Sequence, residues 1–132
     1  MSGYSGTPLA KKLSLKPGQR AWFDAMPASV EAEIGETGVE RLAAPAPGID
    51  AAHVFVTRRA DLEAKVAELL PLLAPTGFLW VSWPKKASKV DTDITEDVIR
   101  DVALPTGLVD VKVCAVDDIW SGLKLMIRKD RR

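Results

Sequence analysis

The stretch 77–89, GFLWVSWPKKASK, constrains the fold more than any other part of the chain. Phe78, Leu79, Trp80 and Val81 run without a polar break, and Ser82 and Trp83 complete the segment. A strand with one wet face alternates apolar and polar residues. A run that is apolar on both faces instead predicts a strand in the middle of a helix-covered sheet. Pro84 stops the run, and Lys85, Lys86 and Lys89 follow at once. Open α/β sheets bind ligands outside the carboxyl ends of their strands, so this exit is the first place to look for function.

The flanking sequence supplies the other elements such a sheet needs. Residues 52–57 (AHVFVT) read as a second buried strand, with Arg58 and Arg59 leaving its end. Over 61–70 the spacing of Leu62, Val66 and Leu69, continued by Leu73, predicts a helix that Pro71 ends or bends. Pro75-Thr76-Gly77 turns the chain into the central strand. Beyond the lysines, Thr95 reads as an N-cap, and Ile94 and Ile99 sit at the spacing of a hydrophobic staple. Glu96 and Asp97 favour the positive end of that helix, and Val98, Val102 and Leu104 give it an apolar face up to Pro105-Thr106-Gly107.

The last third alternates. Val109, Val111, Val113 and Ala115 interleave with Asp110, Lys112 and Cys114, which predicts a strand with one wetter face. After a long turn at 116–122, Leu123, Leu125 and Ile127 interleave with Lys124, Met126 and Arg128. Two such strands in succession predict an antiparallel hairpin, followed by a solvated tail at 129–132.

The first third is less regular. Residues 1–6 read as a loose arm, Thr7-Pro8 as the start of a short helix with Leu9 and Leu13 on one face, and 20–24 as a short strand. Ser29 is placed to cap a helix over 30–34, and 39–42 is a weak strand before a loop with two prolines. Strands alternating with helices imply a parallel sheet covered on both sides. The expectation for 1–132 is therefore one α/β domain: a Rossmann-like, mostly parallel sheet with helices on both faces and a C-terminal antiparallel strand hairpin.

Length and charge limit the function. A chain of 132 residues has room for one core. The net charge of zero provides no global field for nucleic acid or anionic membranes, and neither is expected as a partner. Cys114 is the only thiol, which excludes an intrachain disulfide and a multi-cysteine zinc site. His53 is the only imidazole, and no metal site is expected. No segment has the length and apolarity of a membrane span and no apolar signal core opens the chain, so a cytoplasmic location is the expectation.

The order of elements is similar to that of class I methyltransferases, which close a Rossmann-like sheet with an antiparallel hairpin. Three stretches, SGYSGTPLAKKLSLKPGQR, LWVSWPKKASKVDTDITEDVIRDVALPTGLVD and KVCAVDDIWSGLKLMIRK, also resemble a family of small bacterial proteins classed as a domain of unknown function. The resemblance covers most of 2–128 and is weakest over 21–48. It implies a compact single domain and brings no activity, cofactor or catalytic residue with it.

Against the methyltransferase expectation stands the first strand–helix turn. A nucleotide-type cofactor needs glycines there so that the backbone approaches the ligand. The sequence reads Asp24-Ala25-Met26-Pro27-Ala28, with no glycine and with a proline that removes a donor. No cofactor is expected on this reading. The basic exits of the two buried strands point instead to an anion site at the carboxyl edge, formed by Arg58, Arg59, Lys85, Lys86 and Ser88. The plainer account of these residues is a solvated loop balanced by Asp91 and Asp93. Trp83 and Trp120 are candidates for a pocket or a partner surface.

His53 is expected to begin its strand, away from Cys114, which excludes a Cys–His pair; Cys114 reads as a small buried hydrophobe. The functional expectation is a non-catalytic protein that binds an anionic small molecule or a protein partner at the carboxyl edge. The alternative is a transferase of methyltransferase-like fold with an atypical cofactor site. The exposed edge of the hairpin also allows a homodimer.

Overall fold

The structure is a computed structural model and describes residues 7–132; the arm expected at 1–6 lies outside them. A six-stranded sheet runs in the order β2-β1-β3-β4-β6-β5. Its members are β1 (Arg20–Asp24), β2 (Glu40–Arg41), β3 (Ile49–Phe55), β4 (Leu73–Pro84), β5 (Leu108–Ala115) and β6 (Trp120–Ile127). β2, β1, β3 and β4 pair in parallel, while β6 runs antiparallel to both β4 and β5. The expected architecture is therefore the observed one.

Among the described residues four α-helices cover the sheet: α1 (Leu9–Lys12), α2 (Ala28–Ile34), α3 (Arg59–Leu69) and α4 (Glu96–Ala103). Alternate residues of the central strands feed two cores. Ala52, Val54, Leu79, Val81, Leu123 and Leu125 pack with Leu62, Val66, Leu69 and Ile99 on the α3/α4 side. Ala51, Phe55, Phe78 and Trp80 pack with Leu9, Leu13 and Val30 on the α1/α2 side. Burial on both faces explains why β4 carries an unbroken apolar run. Trp80 also ties α1 to the sheet, donating its indole N–H to the carbonyl of Leu13 at 3.0 Å.

Several boundaries differ from expectation for identifiable reasons. β4 begins at Leu73, so Pro75-Thr76-Gly77 lies within a strand and not in a turn. The register with β3 shifts there, and a Cβ on Gly77 would meet the Ile49 carbonyl at 2.5 Å. At Pro71 the expectation holds: α3 ends at Leu69, and the chain tightens into a 3-10 turn over Leu70–Leu72, where proline fits. Pro27, not Ser29, stands at the N-cap of α2. Thr95 does cap α4, accepting from the Val98 amide at 3.2 Å, with Ile94 and Ile99 both buried. Leu104, assigned to the apolar face of α4, lies beyond the helix and is 42% exposed.

The hairpin holds the largest departure. β5 carries a bulge between Asp110 and Lys112: Asp110 pairs with Leu125, and Lys112 with Lys124, the very next residue of β6. One extra residue on one strand reverses the facing of everything beyond it. Val109, Val111 and Val113 are exposed, and they do not form the continuous apolar face that their alternation suggests. The tail makes a 3-10 turn over Lys129–Arg131, exposed as expected. Among the described residues no helix is long and apolar enough to cross a membrane.

Candidate functional site

From β1, the sheet grows in one direction to β2 and in the other to β3. At such a reversal the connections leave opposite faces of the sheet and open a crevice at the carboxyl edge. The crevice is present here, about 260 Å³ in volume, between the ends of β1 and β3 and the first turns of α3. Asp24 and Ala25 line one side, Phe55, Val56 and Thr57 the floor, and Asp61, Ala64 and Lys65 the other side. The Lys65 ammonium reaches across to Asp24 at 3.5 Å, both side chains about 30% exposed.

The backbone at this crevice shows something the residue names conceal. Ala25 has φ of 57°, the left-handed conformation usually left to glycine. The turn after β1 thus bends as a glycine turn bends, but with a methyl group on the bend. Pro27 then removes one amide, as the sequence predicts. β2 is followed by Leu42-Ala43-Ala44, with no carboxylate for a ribose.

A second cavity, about 500 Å³, opens at the end of β4. Trp83, Pro84, Val90 and Ile94 give it apolar walls, and Lys86 stands at its rim. The two cavities are tied together by Thr92, which lines the second and donates its hydroxyl to the Thr57 carbonyl at 2.7 Å.

Three of the five expected anion-binding residues have side-chain partners within the chain. Arg58 is paired with Asp91, which holds its guanidinium above the ordinary arginine range mainly through that hydrogen bond. Arg59 pairs with Glu63 at 3.5 Å, and its amide donates to Asp93 at 2.7 Å, so a carboxylate of the chain itself occupies the start of α3. Ser88 closes a local turn, donating to the Lys85 carbonyl at 2.6 Å and accepting from the Val90 amide at 3.3 Å. Lys85 is held by its backbone, which donates to the Ile119 carbonyl at 2.7 Å. Lys86 lines the larger cavity.

Trp83 is on the α3/α4 side. Trp120 opens β6 on the opposite side of the sheet, edge-on to Phe55 at 5.1 Å. The two tryptophans therefore share no pocket. Sequence reasoning singled out the turn after the first strand, with Asp24, as the place for a crevice, but missed the other polar residues that line it, Thr57, Asp61 and Lys65.

His53 sits in the middle of β3, fully buried, where the sequence expectation put it at the strand's start. Its Nε2 lies 2.6 Å from the Ser82 hydroxyl and its ring stacks on Phe55 at 4.4 Å. Burial holds its pKa down to about 3, so the ring is neutral. Its polar contact is thus with a serine, not with Cys114, whose thiol burial pushes up. A neutral thiol and a core histidine supply no activated nucleophile.

No family model matches the chain, and no curated protein does, so the resemblance to a family of small bacterial proteins gains no support. Solved structures do match. A SAM-dependent methyltransferase from Aquifex aeolicus superposes with a TM-score of 0.63 at 16% identity, over 95% of this chain and 90% of that one. For a putative type 11 methyltransferase from Sulfolobus solfataricus the values are 0.61 and 12%, over 97% and 94%. A ribosomal protein L11 methylase from Lactobacillus delbrueckii subsp. bulgaricus gives 0.60 at 9%, over 91% and 75%. Some similar structures are longer, and the chain spans 39% and 47% of two of them.

These matches correct the functional expectation. The three structures just named are described as methyltransferases or a methylase, which overturns the non-catalytic binding protein and the leaning against an enzyme. They favour the reading first carried as the alternative. At such identities the likeness extends to the fold alone: this chain has a methyltransferase-like Rossmann fold.

Proposed function

We propose that the chain is a transferase of methyltransferase-like fold whose cofactor seat departs from the usual one. The supporting observation is the crevice between β1 and β3, at the reversal of strand order in a sheet shared with SAM-dependent methyltransferases. The usual seat for that cofactor does not fit. The bend at Ala25 carries a methyl group, Pro27 withholds an amide, and no acid follows β2. The polar groups on offer are Asp24, Thr57, Asp61 and Lys65. Two carboxylates against one ammonium leave the crevice mildly negative, which suits hydroxyl and amine groups of a polar donor. The larger cavity beside Trp83 gives an acceptor molecule its own space on the far side of the Thr57–Thr92 hydrogen bond.

Calorimetric titration of S-adenosylmethionine and S-adenosylhomocysteine into the intact chain tests this reading. Binding is expected, and Asp24→Asn, which removes the carboxylate charge and one acceptor oxygen, weakens it about tenfold. Absence of binding by both compounds overturns the proposal, as does binding that Asp24→Asn leaves unchanged.

A further inference from the structure

Lys112 and Lys124 stand directly opposite each other on β5 and β6. Like charges in that position repel. Two more lysines lie close by, Lys12 at the end of α1 and Lys16 beyond it. Lys12 Nζ donates to the Ala115 carbonyl at 3.0 Å, and Lys112 Nζ donates back to the Lys12 carbonyl at 3.1 Å. Lys124 Nζ donates to the Ser14 hydroxyl at 3.0 Å and lies 4.6 Å from the centre of the Phe78 ring. Partial burial, with the charges of Lys112 and Lys16 close by, lowers the pKa of the Lys124 ammonium. Among the described residues, none of the four lysines forms an ion pair.

The bulge in β5 is what leaves them without an acid. In a regular strand Asp110 and Lys112 share a face, and the carboxylate would lie beside the lysines. The extra residue at Val111 sends Asp110 to the other side of the sheet, where it accepts from Arg100 of α4 at 3.1 Å. Ser14, at the centre of the cluster, has φ of 62°. Left-handed backbone at a residue other than glycine costs free energy, and such positions gather at functional sites.

We propose that Lys12, Lys16, Lys112 and Lys124, with the Ser14 hydroxyl, form a binding site for a phosphate group on the α1 side of the hairpin. An ammonium has three donors, so Lys12, Lys112 and Lys124 each keep two after their bonds within the protein, and Lys16 keeps all of its own. A carboxylate brings one charge to such a cluster; a phosphate brings more, with several acceptor oxygens to share among the lysines. The site lies away from the carboxyl-edge crevice and stands whether or not that crevice holds a cofactor.

Two probes separate the sources of the phosphate. Pyrophosphate represents a small phosphorylated molecule, and a single-stranded oligoribonucleotide represents a polymer backbone. Each is titrated calorimetrically into the intact chain at low salt. Binding of pyrophosphate assigns the site to small phosphates; binding of the oligonucleotide alone assigns it to a backbone. In either case Lys112→Ala and Lys16→Ala each raise the dissociation constant about tenfold, and Lys85→Ala/Lys86→Ala leaves it unchanged. Lys16 makes no side-chain hydrogen bond or ion pair among the described residues, so its variant reads binding without a folding defect. The proposal fails if neither probe binds, or if the Lys85→Ala/Lys86→Ala variant weakens binding as much as Lys16→Ala does.

Discussion

The cations at the carboxyl edge and the lysines on the α1 side differ in chain spacing and in what neutralises them. Arg58, Arg59, Lys85 and Lys86 come from two short sequence stretches, and both arginines are met by acids from their own surroundings, Asp91 and Glu63. Lys12, Lys16, Lys112 and Lys124 come from opposite ends of the chain and have no acid among the described residues. A cluster visible in sequence is also visible to nearby acids, because loops that carry arginines carry aspartates as readily. A cluster made by folding is left charged only if the fold also removes the acids, and here one bulge does that. Density of charge along the chain is thus a poor guide to free charge on the surface.

Three measurements break or sharpen this contrast. The largest effect is expected at Trp80, which holds α1 and its lysines onto the sheet. Trp80→Ala empties a fully buried site and should cost about 3–5 kcal/mol in urea unfolding. Trp80→Phe keeps most of the ring and strands the Leu13 carbonyl, at about 1–2 kcal/mol. If the phenylalanine variant unfolds like the wild type, α1 is not pinned and the lysine cluster has no fixed floor.

Next is acid. His53, on the same side of the sheet, is neutral in the fold with a pKa near 3, below its ordinary 6.5. The unfolded chain therefore takes up a proton first as pH falls. Stability is intact above about pH 6.5 and declines below it by up to about 1.4 kcal/mol per pH unit, until the folded form also titrates. Urea unfolding at pH 7, 5 and 4 checks this, and a flat profile shows that the ring is solvated.

The smallest effects belong to the carboxyl edge. Asp93→Ala removes the acceptor at the start of α3 and should cost about 1 kcal/mol. Arg58→Ala breaks only an exposed pair and should leave the melting temperature unchanged. A larger loss from Arg58→Ala than from Asp93→Ala reverses that ranking.

Much of the fold was legible in the residues because local chemistry decided it. The apolar run at Phe78–Val81 requires cover on both faces, and Thr95 with Ile94 and Ile99 requires a helix start. Alternation at Leu123, Leu125 and Ile127 requires one buried side. Each of these follows from periodicity and hydrogen bonding within a few residues. The site was legible only at Asp24, the charged end of the first strand. Its partner Lys65 lies beyond α2, β2, β3 and the first half of α3, and nothing in the sequence pairs them.

Tertiary structure decided the rest, for the reason that bulges and left-handed turns cost little locally and are set by what packs around them. Ala25 takes a glycine's conformation because the chain must leave β1 for α2. Gly77 remains extended because the Ile49 carbonyl fills the place of a side chain. Val111 drops out of register, and one residue of slip turns an evenly charged strand into a carboxylate on one side and a lysine cluster on the other. The stretch 77–89 therefore determined by itself that a covered sheet must form. Only the folded chain decided which charges that sheet would leave free.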